Sequence, residues 1–381
     1  MNYVNNQSEK KVSVRNSNLE LLRIITMLLI VAHHYVVNSG LLDVNGPIQM
    51  NLLAPKSLFL LVFGAWGKIG INAFVLITGY FMCTSRITMR KYIKLLAEVM
   101  FYKIIIYFIF VLSGYQAISI KELVFAFLPI TSIGQGFTAC FLIFYLCIPF
   151  INVLIKHLSE KQHIYLLLLL LFTYTFFGTI KFLPVQMNYV SWFLVIYLIA
   201  SYIRLYPKDL FSNLIFWKWA TISTFVVSSC SVIVGALVSP ILERDMTHFF
   251  VSDSNTFLAV ITSLSAFMFF KNIEIKSNKI INTVAASAFG VLMIHANSDV
   301  MRRWLWKDVL HNVEVYSTEY LVPHAIISVI AIYVICTIID YIRIYTVERW
   351  FFAIYDKYEG KIILTFKEVE SKICKKFHIK E

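Results

Sequence analysis

The sequence predicts an all-α, polytopic membrane protein, a bundle of about ten transmembrane helices. Three observations carry that prediction. Hydrophobic residues make up 59% of the chain and charged residues only 15%, with a mean hydropathy of +0.73, which leaves too few polar side chains to cover a water-soluble globule. Apolar runs long enough to cross a hydrocarbon layer of about 30 Å recur along the whole chain. The basic residues, finally, crowd into alternate connecting segments, as the positive-inside rule requires.

The spans fall in order at 19–37, 57–82, 95–112, 138–155, 164–178, 189–203, 220–238, 256–270, 281–297 and 321–342. The first follows a polar stretch, 1–18, that ends in a basic cluster of Lys10, Lys11 and Arg15. No cleavable signal peptide is evident there, so the first helix is expected to stay as an anchor. Residues 122–136 (ELVFAFLPITSIGQG) are apolar but short and broken by Pro129, and are expected to form a re-entrant or interfacial segment. The membrane domain then occupies 19–342. The basic tail, 343–381, with Lys372, Lys375 and Lys376, is expected to form a surface-lying helix.

Charge sets the orientation. With both termini in the cytosol, the inner segments hold 24 of the 34 Lys and Arg and the outer loops 7. The net charge of +12 therefore reflects orientation and contact with anionic headgroups of the cell membrane, and not nucleic-acid binding. The 32 Phe and 21 Tyr suit lipid-facing and interfacial positions. The cysteines form no CxxC pair and no His/Cys ligand spacing, so no metal site is expected. No phosphate-cradling GxxxxGK[ST] loop occurs, which argues against nucleotide hydrolysis.

Ionisable residues inside spans are costly and therefore informative. Arg23 and His34 lie in the first span, LLRIITMLLIVAHHYVV, almost three helical turns apart, on one face and about 16 Å apart along the axis. A second basic group, Arg86, Arg90 and Lys94, repeats every four residues in the loop after the second span. At the end of the ninth span His295 and Asp299 are also four apart, on one helical face. Lys68, Asn72, Glu98 and Lys103 complete the intramembrane polar set, with Glu98 expected to pair with Lys103 or Tyr102.

Four segments resemble the acyltransferase-3 family of bacterial membrane acyltransferases: LELLRIITMLLIVAHHY, GINAFVLITGYFM with RITMRKYIKLL, WFLVIYLIASYIRLY, and FGVLMIHANSDVMRRWLW. They run in order across 19–342, and the most specific part is Arg23, ten residues, then His34. The resemblance implies transfer of an acyl group, usually acetyl, from a coenzyme A thioester to a hydroxyl of a surface polysaccharide or lipid-linked glycan. The chain looks like the stand-alone form. Acetyl-CoA is then the donor substrate, with no bound cofactor, and the expected partners are the carbohydrate acceptor, the lipid bilayer and polysaccharide assembly machinery.

The residue chemistry fits. A hydroxyl attacking a thioester needs a base, and histidine is the usual one at neutral pH; His34 takes that role, with a pair of interfacial capping histidines as the competing reading. Arg23 cannot be a base. It either holds a polar part of the donor or snorkels to the surface. Arg86, Arg90 and Lys94 either bind the phosphates of coenzyme A or are ordinary positive-inside charge. His295 and Asp299 either bind the acceptor or form a satisfied polar patch. From another class, a flippase for a lipid-linked glycan also needs many spans and a polar midplane, but such folds usually show repeated halves, and no internal repeat is visible.

Overall fold

The computed structural model describes residues 16–132, 136–180 and 187–376. Those residues form helices joined by loops and turns, with no strand among them. The basic cluster at Lys10, Lys11 and Arg15 lies outside the described residues.

Helix α1 (Ser17–Val37) starts where side chains tie it to distant backbone. Asn18 donates to the carbonyls of Lys271 and Ile273 at 3.2 and 2.9 Å, and Ser17 donates to Asn282 at 3.0 Å. The single span expected at 57–82 is two helices, α2 (Pro55–Phe63) and α3 (Gly67–Met82), because the chain breaks at residues 64–66. Gly67 is needed at that break: a Cβ there would come within 2.3 Å of His33 Cγ. Helix α4 (Met89–Leu112) is capped by the Thr88 hydroxyl. The following α5 (Ile120–Phe127) has eight residues and leads into a 3-10 turn, Pro129–Ser132. At 1.5 Å per residue neither piece reaches across a bilayer, which agrees with the interfacial reading of 122–136; residues 133–135 lie outside the described ones.

Helix α6 (Phe137–His157) carries Pro149 in its interior. Helix α7 (Glu160–Leu171) opens with a Ser159/Gln162 capping box and runs on through a π-helical turn, Phe172–Phe176. Then come α8 (Tyr189–Leu205), α9 (Leu214–Val238) and α10 (Phe257–Asn272). The ninth expected span is broken into α11 (Lys279–Ala286) and α12 (Ala288–His295). Beyond it the chain turns by 92° into α13 (Asp299–Arg303). Helix α14 (Leu321–Arg343) passes through a π-helical stretch, Ile344–Glu348, into α15 (Arg349–Lys376).

Seven helices among the described residues are long and apolar enough to cross a membrane, eight with the bent pair counted as one span. Helices α8 and α10, at 17 and 16 residues, are apolar but shorter. Helix α1 lies at the centre, packed against α3, α10, α11, α12 and α14. The outer helices α9 and α14 expose Trp219, Val226, Ile327 and Ile330, the surface expected of helices that meet acyl chains.

Candidate active site

Two cavities open at opposite ends of α1, and the ionisable pair of the first span divides between them. Near the N-terminal end of α1 a polar cavity of about 630 Å³ is lined by Arg23, Lys94, Glu98, Lys279, Arg343 and Glu348, among others. Arg23 donates to Glu20 at 2.9 Å, and its guanidinium carbon lies 6.0 Å from the Phe74 ring centre. At the other end a larger cavity, about 810 Å³, is lined by His33, His34, Lys68, Lys103, Asn297 and Arg302, with Phe137 and Tyr189. Between the two lies an aromatic cluster. Phe74 stacks on Phe289 and meets Phe141 and Phe137, and Phe137 faces the larger cavity.

The geometry around His34 fixes its protonation pattern. His295, fully buried, sits at the last position of α12, with Nδ1 2.6 Å from the Val291 carbonyl. A carbonyl only accepts, so that nitrogen carries the proton. With both imidazoles neutral, His295 Nε2 then accepts from His34 Nδ1 at 2.9 Å. The only tautomer of His34 compatible with this chain leaves Nε2 with its lone pair, on a side chain that lines the cavity. Trp306 packs edge-on against His295 with ring centres 6.5 Å apart, which holds the orienting ring in place. His33 is differently occupied: its Nδ1 lies 2.6 Å from the Gly64 carbonyl, in the break between α2 and α3.

Asp299 is not beside His295. The 92° turn carries it to the first residue of α13, where its side chain is 94% exposed and pairs with Arg302 at 3.1 Å. The expected four-residue pairing fails because the helix does not continue through residues 296–298. Asn297 instead returns its side-chain amide to the Met293 carbonyl at 2.9 Å and accepts Lys103 on its own carbonyl at 2.9 Å.

The basic loop is also redistributed. Arg86 lies before α4 begins, so of the three only Arg90 and Lys94 share a helix. Arg90 is bound to Asp356 and lies 4.5 Å from the Phe352 ring centre. Of the three, Lys94 alone reaches the cavity wall, paired with Glu348. Lys279 and Arg343, which the sequence reading passed over, supply the rest of the positive wall. Arg343 stood just beyond the last expected span, in a segment read as tail, and Lys279 just before the ninth.

Arg343 organises this end. Its guanidinium donates to Asp340 at 2.8 Å and Glu348 at 3.0 Å and lies 3.3 Å from Glu98, so Glu98 pairs with Arg343 and not with Lys103 or Tyr102. Tyr102 donates to Asp340 at 2.8 Å. Five forked donors facing three carboxylates explain why arginine, and not lysine, occupies this buried position.

A family model described as an acyltransferase domain matches residues 16–341. The chain belongs to the acyltransferase-3 family. The match covers all of α1 and most of the residues that line the two cavities, so this membrane protein is an acyltransferase. No curated protein and no solved structure gives a match.

Proposed function

We propose that the protein O-acetylates a carbohydrate of the cell envelope, with acetyl-CoA bound at the Arg23 cavity and the acceptor hydroxyl at the His34 cavity. The observation that carries this reading is the chain from the Val291 carbonyl through His295 to His34. It leaves an imidazole lone pair at the edge of a cavity large enough for a sugar.

Coenzyme A is a polyanion with a long, narrow pantetheine arm. Its phosphates suit the cations that line this cavity, Arg23, Lys94, Lys279 and Arg343, which stand beside the carboxylates of Glu98 and Glu348, since charge-assisted contacts to phosphate are the strong ones. The distance from Arg23 to His34 along α1 is about 16 Å, within reach of an extended arm. That arm would run beside the Phe74, Phe137 and Phe289 rings, so a thioester arriving at His34 has to part them. His34 Nε2 takes the proton as the acceptor oxygen attacks the thioester carbonyl. The C–O bond forms, the C–S bond breaks, and the imidazolium returns the proton to the departing thiolate. His295 holds the imidazole in the required tautomer, as a third group does in other nucleophile–base pairs.

In this reading both termini lie in the cytosol and the His34 cavity opens to the outer face of the cell membrane, which the distribution of Lys and Arg supports. The test is NMR of envelope polysaccharide from wild type, a deletion strain, and the deletion complemented with wild-type or His34→Ala protein. The O-acetyl signal is expected in wild type and the wild-type complement only. Unchanged polysaccharide in the deletion strain would remove the proposal.

A further inference from the structure

The wall of the larger cavity carries more positive charge than acyl transfer to a neutral sugar requires. Lys103, Lys68, Lys121 and Arg302 line it against the carboxylates of Glu122 and Asp299. Lys68 is occupied by the Tyr189 hydroxyl at 2.7 Å and Asp253 at 3.8 Å. Lys103 has no such partner: it sits inside the apolar helix α4, its amine donates to the Asn297 carbonyl, and no carboxylate lies within ion-pair distance among the described residues. Arg302 uses one terminal nitrogen on exposed Asp299, while its Nε is buried with no hydrogen-bond partner. Two cations on one cavity wall repel each other and lose hydration, a cost that a bound anion offsets.

We propose that the acceptor is anionic, and that Lys103 and Arg302 bind its phosphate or carboxylate group while a neighbouring hydroxyl is presented to His34. The proposal rests on the acyl-transfer reading and narrows its substrate class. A monoanion bridging an ammonium and a guanidinium fits the donors present: three rotating N–H groups on Lys103 and the planar fork of Arg302. Two sources supply such a group, the diphosphate that links a glycan to its lipid carrier, and a uronic acid or phosphate within the repeat unit itself.

The experiment uses membranes holding the full-length protein, supplied with labelled acetyl-CoA. Envelope glycans are extracted and separated by anion exchange, before and after mild acid that cleaves sugar diphosphates but spares acetyl esters. His34-dependent label is expected in the retained fraction. Label that moves to the flow-through after acid assigns the anion to the lipid linkage, and label that stays retained assigns it to the repeat unit. Lys103→Gln and Arg302→Gln are each expected to raise the acceptor KM about tenfold, with the donor KM unchanged, and Lys103→Arg to retain most of the affinity. His34-dependent label on glycan that was never retained would overturn the anionic acceptor and leave acyl transfer standing, whereas no His34-dependent label would overturn both. Equal acceptor KM in wild type and in Lys103→Gln and Arg302→Gln proteins of normal abundance would also overturn it.

Discussion

His34 and His33 are neighbours in sequence and opposites in surroundings. His33 gives its Nδ1 to the Gly64 carbonyl and packs against Gly67, so it serves the break between α2 and α3. His34 hydrogen-bonds another imidazole through Nδ1, which leaves the lone pair on Nε2. Replacing His33 by Ala should therefore lower thermal stability and change kcat only mildly. His295→Ala removes the acceptor that sets the His34 tautomer. It should lower kcat about ten- to a hundredfold with the donor KM unchanged, readable in a membrane acetyl-transfer assay; an unaltered kcat would make His295 a packing residue. Arg23 faces a comparable test. It lies between Glu20 and the Phe74 ring, a position in which a planar fork and a point charge differ. Arg23→Lys should raise the KM for acetyl-CoA, while a snorkelling anchor would accept the exchange without loss.

At the level of helices, the proposed donor cavity depends on how α4, α11 and α14 meet. Arg90 is held by Asp356 on α15, whereas Lys94 and Lys279 line the cavity. Lys94→Gln combined with Lys279→Gln should raise the donor KM well beyond the effect of Arg86→Gln combined with Arg90→Gln, since each charged contact to phosphate is worth about 1.5 to 3 kcal/mol. Equal effects would put the donor on the loop itself. The junction of α12 with α14 is close enough to test directly: a Cβ on Gly290 would meet the Asp340 carboxyl carbon at 2.2 Å. Asp340 is one of the three carboxylates around Arg343, so Gly290→Ala should displace the cluster and cost about 1 to 3 kcal/mol. That is measurable as a lowered melting temperature in detergent. Arg343→Gln, which strands buried carboxylates, should cost more, about 3 to 5 kcal/mol.

Over the whole molecule, hydropathy located every helix that matters, because lipid imposes a length and a composition that can be read one residue at a time. It joined α2 to α3 and α11 to α12 because neither break, at residues 64–66 and at Ser287, carries a charge or a proline that would mark it. The Gly64 carbonyl and the turn at residues 296–298 are tertiary facts, fixed by His33 and by Lys103 from elsewhere in the chain. The same division holds at the site. Arg23 and His34 were legible because charge within a span is rare, and helical spacing correctly put them on opposite halves of α1. His295 was legible as a polar residue near the outer end, but its contact with His34 joins residues 261 positions apart and no local pattern reports it. Arg343 was lost for the opposite reason: beyond a span a basic residue looks like orientation signal, and only folding reveals the three carboxylates around it. In the proposed orientation, reporter fusions after Lys10 and after Lys376 should read cytosolic, and a tag in the loop at 243–253 external; an external N-terminus would invert the assignment of both cavities.

The most direct measurement is the acetyl content of purified envelope polysaccharide from cells carrying His34→Ala, normalised to the amount of protein in the membrane. Loss of a general base costs about 10² to 10⁴ in rate. Truncation leaves only the neutral His295 Nε2 acceptor without its donor, beside the space the imidazole vacates, so the protein should remain near normal abundance while acetylation nearly vanishes. Wild-type acetylation at wild-type abundance would contradict the account, because the lone pair that His295 leaves on His34 would then have no part in the reaction.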